Sequence, residues 1–557
     1  MTVNKNQPNA PLQRIEFGHQ SVEERIKHFG DFTIALDDEQ IHQQSKRCLH
    51  CGTPFCSASC PLHNRPVDFN RLVRDGKWRA AWECLNSTSS FPEFTSRVCP
   101  AICEAGCTQY YLEDAAVGIK TIERAIIDRA WLSGWVKPVK PLVKTGKRVA
   151  VVGSGPAGLA CAQQLARVGH KVTVYEKNEK AGGLLRYGIP DFKLPKDLID
   201  RRIEQMQAEG VAFKFGTAVG VKSFSQGVFS QAQKTVSADK LKRDYDAVVL
   251  ACGSETPRDL KVPGREAKGV HFALELLIGQ NRAVSGELDE TPISCKDCKV
   301  VIIGGGDTGS DCVGIARRQG AESIVQLDIG PCPPLQEDKA ATWPDWPRKL
   351  RTSSSHEEGC ERLWGISTKE ILVNDSGAVR GLHCVKVRLD PATKRLTQEP
   401  GSDFEIAADR VFLAMGFAHP TEELLEAFGI QRDARGNAKA GTETDLRPFE
   451  SSVAGVFACG DTRSGQSLVV RAMSEDAAAH EPWISTLWER RSYRLSERDL
   501  RRVAESYELG SSQKQNQCAM IGETKASHST THHTKMQNVS AKSTAQLPAS
   551  LAYLLMG

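Results

Sequence analysis

Seven cysteines near the start of the chain have the residue type and spacing of metal ligands. They fall in two short runs, Cys48, Cys51, Cys56 and Cys60 followed by Pro61, and then Cys99, Cys103 and Cys107. The unequal intervals and the second run of three do not suit a zinc ribbon, so zinc is the minor alternative. Thiolates in such runs hold iron–sulfur clusters. Two 4Fe4S clusters need eight ligands, so the pattern predicts two clusters and one ligand that is not among these cysteines.

Ligand exchange between the two runs is expected, because the last cysteine of such a run commonly serves the other cluster. We therefore predict two ligand sets. The first set is Cys48, Cys51, Cys56 and Cys107, and the second is Cys60, Cys99 and Cys103.

A glycine-rich loop follows the apolar run Arg148–Val152, which reads as a buried strand. Gly153 permits a tight turn, Gly155 lets the backbone approach a pyrophosphate, and Gly158 permits close packing of helix on strand. Glu176 ends the next predicted strand, 18 residues after Gly158, where a carboxylate can accept both hydroxyls of an adenosine ribose. The segment predicts a dinucleotide site with the phosphates at a helix N-terminus.

A second loop, GGGDTG (304–309), also follows an apolar strand and predicts a second nucleotide site. Its helix carries Arg317 and Arg318, and the next strand ends near Asp328. The arginines could hold a 2′-phosphate, whereas Asp328 could hold a free 2′-hydroxyl. The choice between NADPH and NADH is therefore open from these residues.

Composition excludes several classes of function. The 72 basic and 68 acidic residues leave a net charge of +4 on 557 residues, which favours neither a nucleic-acid nor a membrane partner. No long apolar run and no secretory signal are visible, so we expect a cytoplasmic protein whose cysteines are ligands or core thiols rather than disulfides.

These signals predict an α/β protein with two nested Rossmann-like nucleotide-binding domains, preceded by an α-helical iron–sulfur domain with helices over Val67–Leu85 and Thr121–Trp131. Residues 1 to about 40 read as a leader. The predicted boundaries are 1–145 for the iron–sulfur domain, 146–285 and 411–490 for the two parts of the first nucleotide-binding domain, 286–410 for the second, and 491–557 for a tail expected to be disordered.

Eight longer motifs give the chain a resemblance to a known family. They are RCLHCGTPFCSASCPLHN (47–64), RVCPAICEAGC (97–107), GIKTIERAI (118–126), GSGPAGLA (153–160), GGLLRYGIPDFKL (182–194), GGGDTGSDCVG (304–314), RTSSSHEEGCERLW (351–364) and GVFACGDTRSGQSLVV (455–470). From about Arg14 to Glu475 the chain resembles the small (β) subunit of glutamate synthase. Most of these motifs also occur in a wider group with the N-terminal part of dihydropyrimidine dehydrogenase and ferredoxin-linked NADPH oxidoreductases, and the 351–364 stretch favours glutamate synthase in particular.

The resemblance implies FAD at the first loop, NADPH (with NADH as the alternative) at the second, and Glu123 as the eighth cluster ligand. It places the FAD site at Gly153, Gly155, Pro156, Ala157, Gly158, Glu176, Gly183, Leu184, Arg186, Gly460, Asp461 and Ser467, and the NADPH site at Gly304, Gly306, Asp307, Thr308, Arg317 and Arg318. A helix starting near Ser467 would aim its dipole at the flavin N1 edge.

The same resemblance implies a role in glutamate biosynthesis. The reducing equivalents would pass to a large subunit that makes glutamate from glutamine and 2-oxoglutarate. Two alternatives stay open: a reductase subunit serving ferredoxin or another partner enzyme, and a non-catalytic relic with a damaged C-terminus.

The resemblance stops after Glu475, where this chain reads DAAAHEPWISTLWE (476–489) and Pro482 interrupts the helix that the family continues. With suitable codons, reading two nucleotides later gives RRGARAVDLYLMG, which matches the family's ending. We therefore hypothesise that the tail is out of frame.

Overall fold

The computed structural model describes residues 12–220, 230–390, 393, 395–442, 445 and 447–477. The predicted tail at 491–557, Pro482 and almost all of the segment attributed to a frameshift lie outside the described residues. Within the described ranges, no helix is long and apolar enough to cross a membrane.

The N-terminal part is a bundle of short helices with one small antiparallel ribbon. Its elements are β1 (Gly18–His19), α1 (Val22–Arg25), β2 (Thr33–Ile34), α2 (Asp38–Lys46), α3 (Phe55–Ser59), α4 (Pro66–Arg74), α5 (Trp78–Asn86), α6 (Pro92–Val98), α7 (Ile102–Ala105), α8 (Thr108–Glu113) and α9 (Ile119–Leu132). The helix predicted over Thr121–Trp131 is confirmed within α9. The helix predicted over Val67–Leu85 is two helices, because the chain turns at Gly76 with a φ of 70°.

The predicted leader is wrong for its described residues, because residues 12–36 pack against the body of the protein. Arg14 donates to Ala116 O at 3.2 Å and to the Glu104 carboxylate at 2.7 Å. Phe32 is buried in the core of the second nucleotide domain. This segment therefore joins parts of the chain that are far apart in sequence.

The next segment builds most of the first parallel sheet. Its elements are β3 (Arg148–Val152), α10 (Pro156–Arg167), β4 (Lys171–Tyr175), α11 (Leu184–Tyr187), α12 (Asp197–Glu209), β5 (Ala212–Lys214), β6 (Thr217–Val219), β7 (Lys234–Val236), α13 (Ala238–Asp244) and β8 (Ala247–Leu250). Strand β3 is buried at four of its five positions, as expected for a strand covered on both faces.

The second segment contains another parallel sheet and an antiparallel one. Its elements are β9 (Val270–Phe272), α14 (Ala273–Val284), β10 (Lys299–Ile303), α15 (Asp307–Arg318), β11 (Ser323–Asp328), α16 (Lys339–Thr342), α17 (Ser354–Glu357), β12 (Glu361–Trp364), β13 (Ile366–Val373), β14 (Val379–Leu389), β15 (Leu396–Gln398), β16 (Phe404–Ala407) and β17 (Arg410–Leu413). The parallel strands have the order β12-β11-β10-β17-β9.

The chain then returns to the first sheet. The last described elements are α18 (Glu422–Phe428), β18 (Val456–Ala458), α19 (Asp461–Ser464) and α20 (Val469–Ala477). Strand β18 pairs with β8 and completes the order β18-β8-β3-β4-β5. One nucleotide domain is thus inserted in the other, which confirms the predicted nested α/β fold.

The strand pairing corrects two of the predicted boundaries. Strand β9 lies before residue 286 and β17 runs past residue 410, yet both pair in the second sheet. The second nucleotide-binding unit therefore extends at least from Val270 to Leu413. Sequence reasoning missed this because β9 is a three-residue strand without its own glycine loop.

Candidate functional site

A cavity of about 1650 Å³ lies where the two parallel sheets and the N-terminal helices meet. Both glycine-rich loops line it, as do Cys99 and Pro100 at the end of α6. The carboxyl ends of β3 and β10 open into this space, which is where nucleotides bind to open parallel sheets.

The three glycines of the first loop have the separate roles that their spacing predicts. Gly153 has a φ of +102°, and a Cβ there would lie 2.4 Å from Ala251 O. A Cβ on Gly158 would lie 2.1 Å from Gly153 O, so only glycine lets α10 pack this closely. A Cβ on Gly155 would meet nothing within 4 Å, and this residue lines the cavity. The open space at Gly155, in front of the N-terminus of α10, fits a dinucleotide pyrophosphate.

Glu176 lies at the end of β4, beside this loop. Its carboxylate accepts hydrogen bonds from the Ser154 and Asn178 backbone N–H groups at 3.0 and 2.8 Å. Burial raises the pKa of the Glu176 carboxyl, while the bond from the Ser154 hydroxyl opposes that rise. The carboxylate is held at the cavity wall, in a position that fits the ribose hydroxyls of an adenosine.

The second loop repeats the geometry of the first. Gly304 has a φ of +131°, and a Cβ there would lie 2.2 Å from Ala414 O. A Cβ on Gly306 would meet nothing within 4 Å, and one on Gly309 would lie 2.3 Å from Gly304 O. Asp307 and Thr308, at the start of α15, also line the cavity. The backbone N–H groups at the start of α15 and the open space at Gly306 fit the phosphates of a second nucleotide.

Arg317 and Arg318 do not lie at this nucleotide site, which corrects the prediction that they hold a 2′-phosphate. They occupy the last turn of α15, about 16 Å along the helix from Asp307, and neither lines the cavity. The Arg318 side chain is fully buried and donates to both oxygens of Glu358, at 2.5 and 2.9 Å. Its charge is already paired, so Arg318 is structural.

The remaining residues expected at the flavin divide into two groups. Pro156, Ala157, Gly183, Leu184, Asp461 and Ser467 line the cavity. Arg186 does not: its buried guanidinium donates to Ala181 O at 2.6 Å and pairs with Asp200, which corrects its assignment to the site. Gly460 lies just behind the wall, where a Cβ would be 2.7 Å from the Ala157 Cβ.

Asp461 is held at the cavity by its neighbours. Burial raises the pKa of Asp461 to about 6, although the Ser467 hydroxyl donates to its carboxylate at 2.6 Å. The helix predicted near Ser467 is α20, which begins at Val469, and its first residue also lines the cavity.

Members of the first predicted ligand set are neighbours in the N-terminal helical core. Cys51 Sγ lies 3.4 Å from the hydroxyl of Thr108, the residue after Cys107. Burial, followed by the neighbouring thiols of Cys107 and Cys48, raises the pKa of Cys56 to about 12. The two cysteine runs approach each other closely at Gly106, where a Cβ would lie 2.2 Å from Ser59 Oγ and 3.2 Å from Phe55 O.

The second predicted set lies nearer the cavity. Burial and the proximity of Glu123 and Cys99 raise the pKa of Cys60 to about 11. Burial raises the pKa of Cys103 well above its usual value, and Cys60, Cys99 and Glu123 add to that rise. Glu123 is itself buried and accepts from the Thr95 hydroxyl at 2.5 Å, and burial raises its pKa to about 7. Buried thiols that repel one another when ionised are a donor set that a cationic cluster would neutralise.

Among the described side chains, no three His, Cys, Asp or Glu residues converge as the ligands of a single metal ion would.

Sequence reasoning missed the part of the wall that the N-terminal segment supplies. Phe17, His19 and Phe32 line the cavity together with Lys120 and Arg124 of α9. Arg124 stacks on Phe17 at 4.9 Å and pairs with Asp31 at 3.0 Å. Only the GIKTIER motif, which contains both Lys120 and Arg124, could have drawn attention to this wall.

Comparisons with known proteins agree with this geometry. Residues 147–475 match the pyridine nucleotide-disulphide oxidoreductase family, and residues 25–135 match dihydropyrimidine dehydrogenase domain II, 4Fe-4S cluster. The fold and site therefore define a flavin- and NAD(P)H-dependent oxidoreductase that carries an N-terminal iron–sulfur domain.

Three relatives narrow this class. The glutamate synthase [NADPH] small chain of Mycobacterium tuberculosis is 46% identical over 461 residues, covering 82% of this chain and 90% of that protein. Glutamate synthase [NADH] of Saccharomyces cerevisiae is 41% identical over 82% of this chain, which spans 21% of that larger protein. The putative oxidoreductase AegA of Escherichia coli is 36% identical over 84% of this chain and 69% of its own length. The chain belongs to the glutamate synthase small chain family.

Proposed function

We propose that this chain is the electron-input subunit of a glutamate synthase. It passes hydride from NAD(P)H to FAD, and single electrons through two 4Fe4S clusters to a large subunit that makes glutamate from glutamine and 2-oxoglutarate. FAD supplies the conversion between a two-electron donor and one-electron carriers.

The observation that carries this proposal is the shared cavity. Gly155 and Gly306, the two residues that leave room for phosphates, line one cavity with Cys99 of the second ligand set. The chain's own groups would do the positioning: the N-termini of α10 and α15 would hold the phosphates, and Glu176 would accept the ribose hydroxyls of FAD.

The ligand sets suggest an order for electron flow. Cys60 belongs to the core that holds the first sheet, and Cys99 packs against it. Cys56 and Cys107 belong to the core of the N-terminal helices, and Cys103 packs against both cores. The second set, with Glu123 as its fourth ligand, therefore serves the flavin side.

A purification and reconstitution experiment tests the proposal. The chain, expressed with a glutamate synthase large subunit and purified anaerobically, should carry flavin and about eight irons, as expected for two cubanes. It should also co-purify with that subunit and support glutamate formation from NAD(P)H. A protein without flavin and iron would be the non-catalytic relic, and the proposal would be wrong.

A second function is favoured by one observation, the similarity to AegA, which is not named a glutamate synthase. In that case the same chemistry would serve ferredoxin or another partner enzyme. Nucleotide-dependent ferredoxin reduction, without binding to the large subunit or glutamate formation, would favour this alternative.

A further inference from the structure

The two nucleotide loops have equivalent positions in their sheets. In the first sheet Val152 of β3 pairs with Tyr175 of β4, so Gly153 and Glu176 leave the sheet side by side. In the second sheet Ile303 of β10 pairs with Leu327 of β11. Asp328 therefore stands to the second loop as Glu176 stands to the first.

The Asp328 carboxylate is directed at the second loop. A Cβ placed on Gly305 would lie 2.0 Å from Asp328 Oδ2, so this oxygen lies directly against the loop backbone. The other oxygen, Oδ1, accepts from the Gly330 backbone N–H at 2.8 Å, which fixes the orientation of the group. Asp328 also lines the cavity, so its carboxylate is accessible to a nucleotide at the second loop.

Most of the charged side chains that line the cavity near this loop are carboxylates, and Arg351 is a cation that lies near Asp307. Asp307, Asp311 and Asp328 all line the cavity near the loop, and Lys193, which also lines it, pairs with Asp311. The two arginines of α15 lie at the opposite end of the helix, and Arg318 is paired with Glu358. A carboxylate at the end of this strand accepts hydrogen bonds from ribose hydroxyls, whereas a 2′-phosphate would bring further negative charge against it.

We propose that this chain uses NADH in preference to NADPH and that Asp328 is the residue that determines this specificity. The inference rests on the proposed function, because it identifies the donor at the second nucleotide site. Relatives named for NADPH and relatives named for NADH are both similar to this chain, so similarity does not identify the preferred nucleotide. The proposal therefore rests on the Asp328 side chain.

Equilibrium binding and steady-state kinetics together test the proposal. Calorimetry on the anaerobically purified flavin and iron–sulfur protein would give the Kd of NAD⁺ and of NADP⁺, and dye reduction would give kcat/KM for NADH and NADPH. We expect NAD⁺ to bind at least about tenfold more tightly than NADP⁺, because hydrogen bonds to a charged acceptor contribute strongly to the binding free energy. Asp328→Ala should reduce this ratio about tenfold or more, through Kd and KM rather than kcat.

Two further variants separate recognition from folding. Asp328→Glu keeps the carboxylate and should retain most of the preference. Glu322→Ala removes an exposed carboxylate at the other end of β11 and should leave both dissociation constants unchanged. Equal losses for both nucleotides in Asp328→Ala would indicate a structural role and overturn the proposal, as would tighter binding of NADP⁺ by the unmodified protein. A protein that binds neither nucleotide would instead overturn the proposed function.

Discussion

Glu358 holds together the N-terminal segment and the second nucleotide domain, and its replacement by glutamine should destabilise the protein strongly. The carboxylate accepts from Arg25 Nε at 2.9 Å and from Arg318 Nη1 and Nη2 at 2.5 and 2.9 Å. The side chains of Glu358 and Arg318 are fully buried and that of Arg25 is 3% exposed. Glutamine would place an N–H₂ group against a guanidinium N–H, and it would leave buried Arg318 without a counter-charge and Arg25 with only the half-exposed Glu357.

The expected magnitude follows from this burial. Removing one partner of a buried ion pair costs about 3–5 kcal/mol, because the remaining charge is left uncompensated in a poorly polarisable site. The neighbouring Glu357 is a matched control, since its side chain is 50% exposed and makes one ion-pair contact with Arg25, at 3.2 Å. Glu357→Gln should change the stability by about 0–1 kcal/mol.

Urea-induced unfolding of the two variants and the unmodified protein, followed by far-ultraviolet circular dichroism, measures this difference. Limited proteolysis should in addition show faster cleavage of residues 12–36 in Glu358→Gln, because Arg25 anchors that segment. Equal unfolding midpoints for Glu358→Gln and Glu357→Gln would refute the reasoning, since they would show that the buried carboxylate contributes no more than an exposed one.

Three other predictions follow from the cluster ligands, the flavin site and the end of the chain. Cys56→Ala or Cys107→Ala should lower the iron content and abolish electron transfer to a partner, while dye reduction at the flavin survives. Cys298→Ala is the control, because Cys298 lies outside both ligand sets. Full partner activity in Cys107→Ala would exclude Cys107 as a ligand. Burial raises the pKa of Asp461 to about 6 in the folded state from 3.8, so the folded protein binds the extra proton and stability falls as pH rises from about 4 to about 6. In flavin-free protein, Asp461→Asn should remove up to about 3 kcal/mol of this dependence, and parallel stability-against-pH curves for the two proteins would contradict the assignment. Replacing residues from 476 onward by RRGARAVDLYLMG should raise FAD retention and Tm, whereas a neutral or destabilising result would reject the frameshift hypothesis.

Local backbone requirements made much of this protein predictable from its sequence. A tight turn after a buried strand needs glycine at the first and third positions of each loop, and the contacts at Gly153, Gly158, Gly304 and Gly309 show the reason. Strand β3 has the predicted bounds because four consecutive apolar residues followed directly by glycine favour a short buried strand over other secondary structure. The division of the cysteines into two ligand sets stays a prediction, made from the rule that the last cysteine of such a run commonly serves the other cluster.

The roles of charged side chains and the limits of the inserted domain were decided by the tertiary structure. Arg318 was predicted to bind a phosphate, but its partner Glu358 lies 40 residues farther along the chain. The Arg186 guanidinium is likewise already bonded to Ala181 O and paired with Asp200. Strand β9 could be assigned to the second sheet only through its pairing with β17. Glycine loops and cysteine runs act over a few neighbouring residues, so the sequence by itself determined the chemistry that this protein carries. What a guanidinium or a carboxylate binds depends on which distant group is buried beside it, and only the packed chain decides that.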